Sequence, residues 1–228
     1  MNTVKIWDQL SDEFDTYKEN LFQGVADNIY TIWPVILPYI KKNIKGNSLC
    51  ALDYGCGTGM FCSKLKSLGF DTYGIDISPK MVEIAKKHLG KQIGFFVGDY
   101  KTALGISKKL GKFNLITAIM VFQFIPNLNR CIRYLSKSMA NGSNIFIVLH
   151  NPKKLDERKI KNKLNLNGKV VAIYKRNSKE YDRVFKQFRF KKLLEKYPKT
   201  SKKFLQKYKQ EDSTKIPKYM VLGYKKIS

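Results

Sequence analysis

Short apolar runs alternate with stretches of helical periodicity over residues 49–149, and a chain patterned this way has few folds open to it. Residues 49–53 read as a strand ending in a glycine turn, 58–68 as a helix stopped by Gly69, and 72–75 as a second strand. Ser78 and Pro79 open the next helix as N-cap and first helical residue, and it runs to Leu89 before Gly90. Strands at 93–97, 112–119 and 144–149 follow, with helices near 101–110 and over 126–139 between them. Strands alternating with helices of this length form βαβ units, in which a mostly parallel sheet is covered by helices on both faces. The pattern predicts an α/β, doubly wound fold.

The flanks differ from this core. Residues 5–45 read as two aromatic-rich helical segments. Residues 152–168 are polar and basic with little periodicity, and suggest a mobile connection or lid. Beyond it, 170–174 reads as a short strand, 178–188 as a helix, and 190–197 and 219–224 as the last strands. The expected organisation is one domain over residues 1–228. It comprises a helical lid (1–45), a core (46–150), a basic connection (151–176) and a C-terminal part of the sheet (177–228). The densest apolar stretch, 29–40, is broken by Pro34 and Pro38, so no transmembrane helix is expected. Acids occupy the N-terminus where a signal peptide needs apolar residues, which argues against secretion. Cys50, Cys56, Cys62 and Cys131 show no C-x-x-C pairing, so the reading is a reduced, cytoplasmic protein.

The strongest motif is Leu52-Asp53-Tyr54-Gly55-Cys56-Gly57-Thr58-Gly59, set between a strand and a helix. In an open α/β sheet, ligands bind at the carboxyl ends of the strands, and a helix N-terminus offers free N–H groups to an anion. A dinucleotide fingerprint requires G-x-G-x-x-G, but its third glycine position is Met60 here. The spacing is G-x-G-x-G, with an acid two residues before the first glycine.

This loop resembles motif I of the class I S-adenosylmethionine (SAM) dependent methyltransferases. The resemblance runs from about Leu49 to Leu149 and more loosely to the C-terminus. It implies a Rossmann-like sheet of seven strands, with SAM as cofactor, S-adenosylhomocysteine (SAH) as product, and no metal. The loop Gly55, Cys56, Gly57 and Gly59 would hold the methionine end of SAM, with Asp53 near its ammonium. Asp76 ends the second strand, where a carboxylate can accept both ribose hydroxyls, with Ile77 beside it. Asp99 follows the third strand and would take the adenine amino group, with Tyr100 flanking the ring. The alternative is that Asp76 caps a helix and Asp99 sits in a turn. An acid at each of two successive strand ends, in register with the loop, favours the cofactor.

The stretch 113–126 resembles a family segment that begins Phe-Asp and ends in an acid, a histidine and Val-Pro. Here those positions are Asn114, Gln123 and Phe124, so the side-chain chemistry does not carry over. The backbone near Ala118 and Ile119 would still face the methionine end, and Gln123 and Phe124 are candidates for the substrate side. No Asn-Pro-Pro-Tyr signature is present, which argues against a DNA amino-methyltransferase.

Methyl transfer from a sulfonium depends mainly on positioning, and a base is needed only if the nucleophile must lose a proton. His150, at the end of the fifth strand, is the candidate base, and a histidine satisfied by backbone is its alternative. His88 reads as a surface residue. The resemblance implies that the N-terminal helices fold over SAM, with Tyr17 on the cofactor and Trp33 toward the substrate. Arg176 is a candidate for the substrate cleft, against the alternative of a solvated arginine.

The net charge is +25, and residues 151–228 carry 25 basic and seven acidic groups, a net +18. Such a field attracts acidic substrates, nucleic acid or an anionic membrane surface, unless it is only lysine-rich composition. The expected activity is methyl transfer to O or N of a small metabolite, acidic if the charge is functional. Nucleic acid is the second choice of partner, as in an RNA or tRNA methyltransferase, but no RNP1 or GXXG motif supports it. Other SAM chemistry on the same fold, or non-enzymatic SAM binding, stays open.

Overall fold

The computed structural model describes residues 3–17, 22–211 and 215–228. The N-terminal region holds α1 (Thr3–Leu10), α2 (Gln23–Asp27), a π-helical turn (Asn28–Ile32) and α3 (Trp33–Asn43). The alternating core runs β1 (Cys50–Tyr54), α4 (Met60–Ser67), β2 (Asp71–Asp76), α5 (Pro79–Leu89), β3 (Gly94–Val97) and α6 (Tyr100–Leu110). It continues through β4 (Phe113–Ile119), α7 (Leu128–Ser138) and β5 (Met139–His150). Then come α8 (Pro152–Glu157), β6 (Lys163–Leu166), β7 (Lys169–Ala172), α9 (Ser178–Gln187), β8 (Phe190–Lys196), α10 (Lys202–Lys207) and β9 (Tyr219–Lys226).

Local chemistry sets the helix starts. The Ser78 hydroxyl accepts from the Met81 N–H at 3.1 Å, and Pro79 supplies a helical φ without a donor to satisfy. Asn127 caps α7 through the Arg130 N–H, and Asn177 with Glu180 closes a capping box on α9.

The main sheet has seven strands in the order β3-β2-β1-β4-β5-β9-β8. The first five run parallel; β9 is antiparallel to β5, and β8 antiparallel to β9. Strand order reverses between β1 and β4, which opens a crevice at their carboxyl ends.

Side chains alternate across the sheet, so neighbouring residues enter different cores. Leu52, Ile116, Ile145 and Ile147 pack with Ile106, Leu135 and Val184 from α6, α7 and α9. Ala51, Leu115, Phe146 and Val148 pack on the other face with Ile36, Ile40, Phe61 and Leu65 from α3 and α4.

The flanks hold more regular structure than expected. Residues 152–168 contain α8 and β6 instead of an irregular connection. Asn151 and Pro152 start the helix, with the Asn151 side chain accepting from the Lys153 N–H at 3.1 Å. The strand expected at 170–174, within the basic connection, pairs with β6 in a hairpin separate from the main sheet. Its turn is Asn167-Gly168, with φ of 47° and 78°, the left-handed pair that a two-residue hairpin loop demands. Finally, α10 was not expected at all. The hairpin meets α1 in a small core of its own, in which Ile6, Leu10 and Val171 are buried with Trp7, Phe14 and Phe124 against them. This small core is thus built from two distant parts of the chain.

Candidate active site

The glycine loop crosses the crevice between β1 and α4. Gly55 has φ of 74°, and a Cβ there would lie 2.2 Å from Val121 Cγ2, so both conformation and space require glycine. Gly57 has φ of 53°, and a Cβ there would meet no heavy atom within 4 Å: its backbone faces open space. The Gly57 N–H donates to Asp76 Oδ2 at 2.9 Å, and the Ser78 N–H donates to Asp76 Oδ1 at 2.9 Å. Asp76 thereby ties the loop after β1 to the turn after β2.

Beneath the loop, Asp53 is buried. Its Oδ1 accepts from the Thr117 hydroxyl at 2.7 Å, and its Oδ2 from the Cys62 thiol at 3.8 Å. Burial pushes its carboxyl up to about 7, against the opposing pull of these two donors. Asp76 is raised too, by burial, with its backbone donors acting in the other direction.

A cavity of about 490 Å³ extends from this loop to the small core of α1 and the hairpin. Its floor includes Asp53, Gly55, Cys56, Gly57, Asp76 and Ile77. Ile119, Gln123 and His150 stand on its wall, and Trp7, Phe14, Trp33 and Phe124 form much of its roof. Trp7 meets Phe124 edge to face with ring centroids 5.1 Å apart, and Trp33 meets Phe61 at 5.4 Å. The Thr16 and Thr58 hydroxyls pair at 2.9 Å, joining the segment after α1 to the glycine loop.

Gln123 is buried and bridges two backbone groups. Its Nε2 donates to the Met120 carbonyl at 3.3 Å, and its Oε1 accepts from the His150 N–H at 3.2 Å. The His150 ring lies nearly parallel to Tyr219, with centroids 6.3 Å apart. Burial, and secondarily the charge of Arg158, push its imidazole down to about 4, so it is neutral at physiological pH.

Six expected residues lie outside this cavity lining. Gly59 is the left-handed N-cap of α4, and Ala118 is buried inside β4. Asp99 caps α6, its Oδ1 accepting from the Lys101 N–H at 2.7 Å, and Tyr100 packs on Tyr134 at 5.4 Å. It is Gly98 that reaches the cavity. Tyr17 stacks on His88 with ring centroids 3.9 Å apart, so the segment presents Thr16 inward instead. Arg176 is a structural clamp: its Nη2 donates to the Ile125 carbonyl at 2.9 Å and the Pro126 carbonyl at 2.8 Å.

Sequence reasoning missed Met120 and Tyr219, which line the cavity together with Arg158. Met120 holds φ of 62°, a strained conformation for a long side chain, directly after β4. Nothing local in the sequence signals that strain. Gly98, after the third strand, was a legible sign of close backbone approach.

Comparison with known proteins settles the family. A family model described as a methyltransferase domain matches residues 17–196. The chain belongs to the methyltransferase-domain family. The expectation of a class I, SAM-dependent methyltransferase drawn from the glycine loop therefore stands. A ubiquinone biosynthesis O-methyltransferase from Coxiella burnetii (strain Dugway 5J108-111) is 27% identical over 126 residues. The match covers 54% of this methyltransferase and 53% of that relative, so the chain spans about half the length of the curated relatives it matches. Among solved structures, a SAM-dependent methyltransferase from Mesorhizobium loti superposes with a TM-score of 0.68 at 15% identity, covering 90% of this chain and 100% of that one. A magnesium protoporphyrin IX methyltransferase from Synechocystis, solved with bound SAH, gives 0.58 at 17% identity, covering 99% and 88%. At these identities the likeness to the solved structures is one of fold. Among the described residues of this methyltransferase, no helix is long and apolar enough to cross a membrane, and no cluster of metal-ligating side chains occurs.

Proposed function

We propose that this methyltransferase methylates an oxygen or nitrogen of a small, flat, largely apolar molecule. One observation carries the reading: a cavity runs from the glycine loop to an aromatic roof, with room for a cofactor and an acceptor side by side. The relatives named as O-methyltransferases support oxygen as the acceptor atom.

The residues fit the cofactor. The open backbone face at Gly57 admits a ligand where any side chain would intrude, and Asp53 and Asp76 present carboxylates on the same floor. Gly55, Gly57 and Asp53 would hold its amino-acid end, and Asp76 its ribose. SAM supplies a methyl group on a sulfonium, open to in-line attack by an acceptor lone pair with a neutral thioether leaving. Trp33 and Phe124 stack over the acceptor and exclude water. His150 is neutral, so its free ring nitrogen can accept a hydrogen bond from the acceptor's O–H or N–H and align the lone pair. An imidazole pushed down to about 4 is a weak base, which suits orientation better than full proton removal.

RNA fits less well, because the roof over the acceptor half is apolar and enclosing rather than an open basic platform. Four free cysteines, with the Cys56 and Cys62 thiols in contact, support a reducing compartment such as the cytoplasm. The test is SAH release from SAM with phenolic and catecholic acceptors against total RNA. Release with the aromatic acceptors supports the reading, and release with RNA alone overturns it.

A further inference from the structure

A second cavity, of about 300 Å³, adjoins the first. The two share Phe22, Gly24, His150, Arg158, Leu164 and Tyr219 as walls, so they form adjoining chambers of one site. Their linings differ in kind. The main chamber is roofed by aromatics, whereas the second carries Lys154, Arg158 and Lys218.

These three cations are not equivalent. Lys154 is buried and paired with Glu157. Lys218 Nζ lies 3.1 Å from Asp27 Oδ2, and Asp27, itself buried, also accepts from the Tyr219 hydroxyl at 3.0 Å and the Thr31 hydroxyl at 2.7 Å. Each of these two ion pairs balances its own charge. Arg158 has no carboxylate partner among the described residues, and it stands in the wall common to both chambers. Gln210 adds a neutral amide to the second chamber. Arg158 is exposed to solvent, yet it lines two adjoining cavities among lysines already neutralised, and there it offers a planar five-donor fork to an oxyanion.

We propose that the second chamber is an anion subsite, and that the methyl acceptor is bipartite: an aromatic head under Trp33 and Phe124, and an arm ending in a carboxylate or phosphate that reaches Arg158. This rests on the methyltransferase reading of the main chamber and extends it to the acceptor's charge. The arm leaves the head past His150, one of the residues that border both chambers. Attachment to the head is favoured over a free effector anion because the chambers share their wall.

The test is calorimetric binding to the full chain, after a first titration with SAH. Probes are 3-phenylpropanoate, 2-phenylethyl phosphate, the uncharged 3-phenylpropanamide and inorganic phosphate. One or both of the aryl anions should bind about fivefold or more tighter than the amide, as expected for a charge-assisted bond that water partly screens. Which anion binds tighter tells carboxylate from phosphate. Arg158→Gln should remove that preference while leaving amide binding within about twofold, and Arg158→Lys should retain part of it. Three results would each overturn the subsite: amide and anions binding equally, Arg158→Gln keeping the preference, or inorganic phosphate binding as tightly as the aryl anions. Failure of SAH to bind in the first titration would instead strike the methyltransferase reading, so the two failures are distinct.

Discussion

The Thr117 hydroxyl donates to Asp53 Oδ1 at 2.7 Å, tying β1 to β4 across the point where strand order reverses. The bond fixes a buried carboxylate under the glycine loop without supplying a positive charge. The nearest donors are neutral, and burial therefore leaves the group raised to about 7.

The first prediction follows from that carboxyl. A raised acid binds its proton more tightly folded than unfolded, so its contribution to stability falls as pH rises from about 4 to about 7. The penalty above pH 7 is at most roughly 4 kcal/mol. A cationic ligand at this site favours ionisation, so SAH, through its ammonium, should bind tighter from pH 5.5 to 7.5 with release of a proton. Calorimetry in buffers of different ionisation enthalpy reads that proton, and Asp53→Asn should abolish it.

Asp76→Ala removes the acceptor that holds Gly57 and Ser78 as well as the proposed ribose contact. A loss of about 1.5–3 kcal/mol, at least tenfold in SAH affinity, is expected. Equal affinity of mutant and wild type would end the ribose assignment.

Gly55→Ala drives a methyl into Val121 and places alanine at positive φ. It should destabilise the protein by about 1–3 kcal/mol. Adding Val121→Ala removes the two Cγ atoms that collide, so the double variant should recover the steric share and keep only the backbone share. A denaturant double-mutant cycle that shows simple additivity would contradict the contact.

Asp8, on α1, accepts from the Ser78 hydroxyl at 2.6 Å and from the Lys80 N–H at 3.2 Å, pinning α1 to the start of α5. Deleting residues 1–20 should leave the sheet folded by circular dichroism while turnover drops at least a hundredfold, since water then reaches the site. Full turnover by the truncated chain would refute the lid role.

His150, pushed down to about 4, is protonated more readily unfolded than folded, so it adds stability as pH rises from about 4 to 6.5. It should impose no acid limb near pH 6.5 on turnover. A limb at 6.5 that disappears in His150→Gln would show an imidazole with its ordinary affinity for protons.

The core of the fold was legible because its signals are local. Ser78-Pro79, the glycine loop and the alternating Leu52/Ala51 faces each declare themselves within a few residues. The loop and Asp76 reached the cavity for the same reason, since strand ends in a parallel sheet gather at one edge. What failed turned on which of two partners a side chain takes. Whether Asp99 faces a ligand or its own helix is decided by the Lys101 N–H beside it, and the cap forms. Tyr17 could turn inward or outward, and the His88 ring, 71 positions away in sequence, holds it out. The hairpin of β6 and β7 was readable in Asn167-Gly168, but four-residue strands with half-buried faces leave little periodicity to see.

The position of β9 bears on how the chain comes to be folded. It is hydrogen-bonded between β5 and β8, yet it is made only after both of them. Until Tyr219–Lys226 leaves the ribosome, β5 presents a long apolar edge with no partner. At about 5–20 residues per second, the interval from Leu149 to Lys226 lasts several seconds to more than ten, and a nascent chain in that interval is open to pairing with its neighbours. A stop in translation before residue 219 therefore yields an aggregation-prone product and not merely a shorter enzyme.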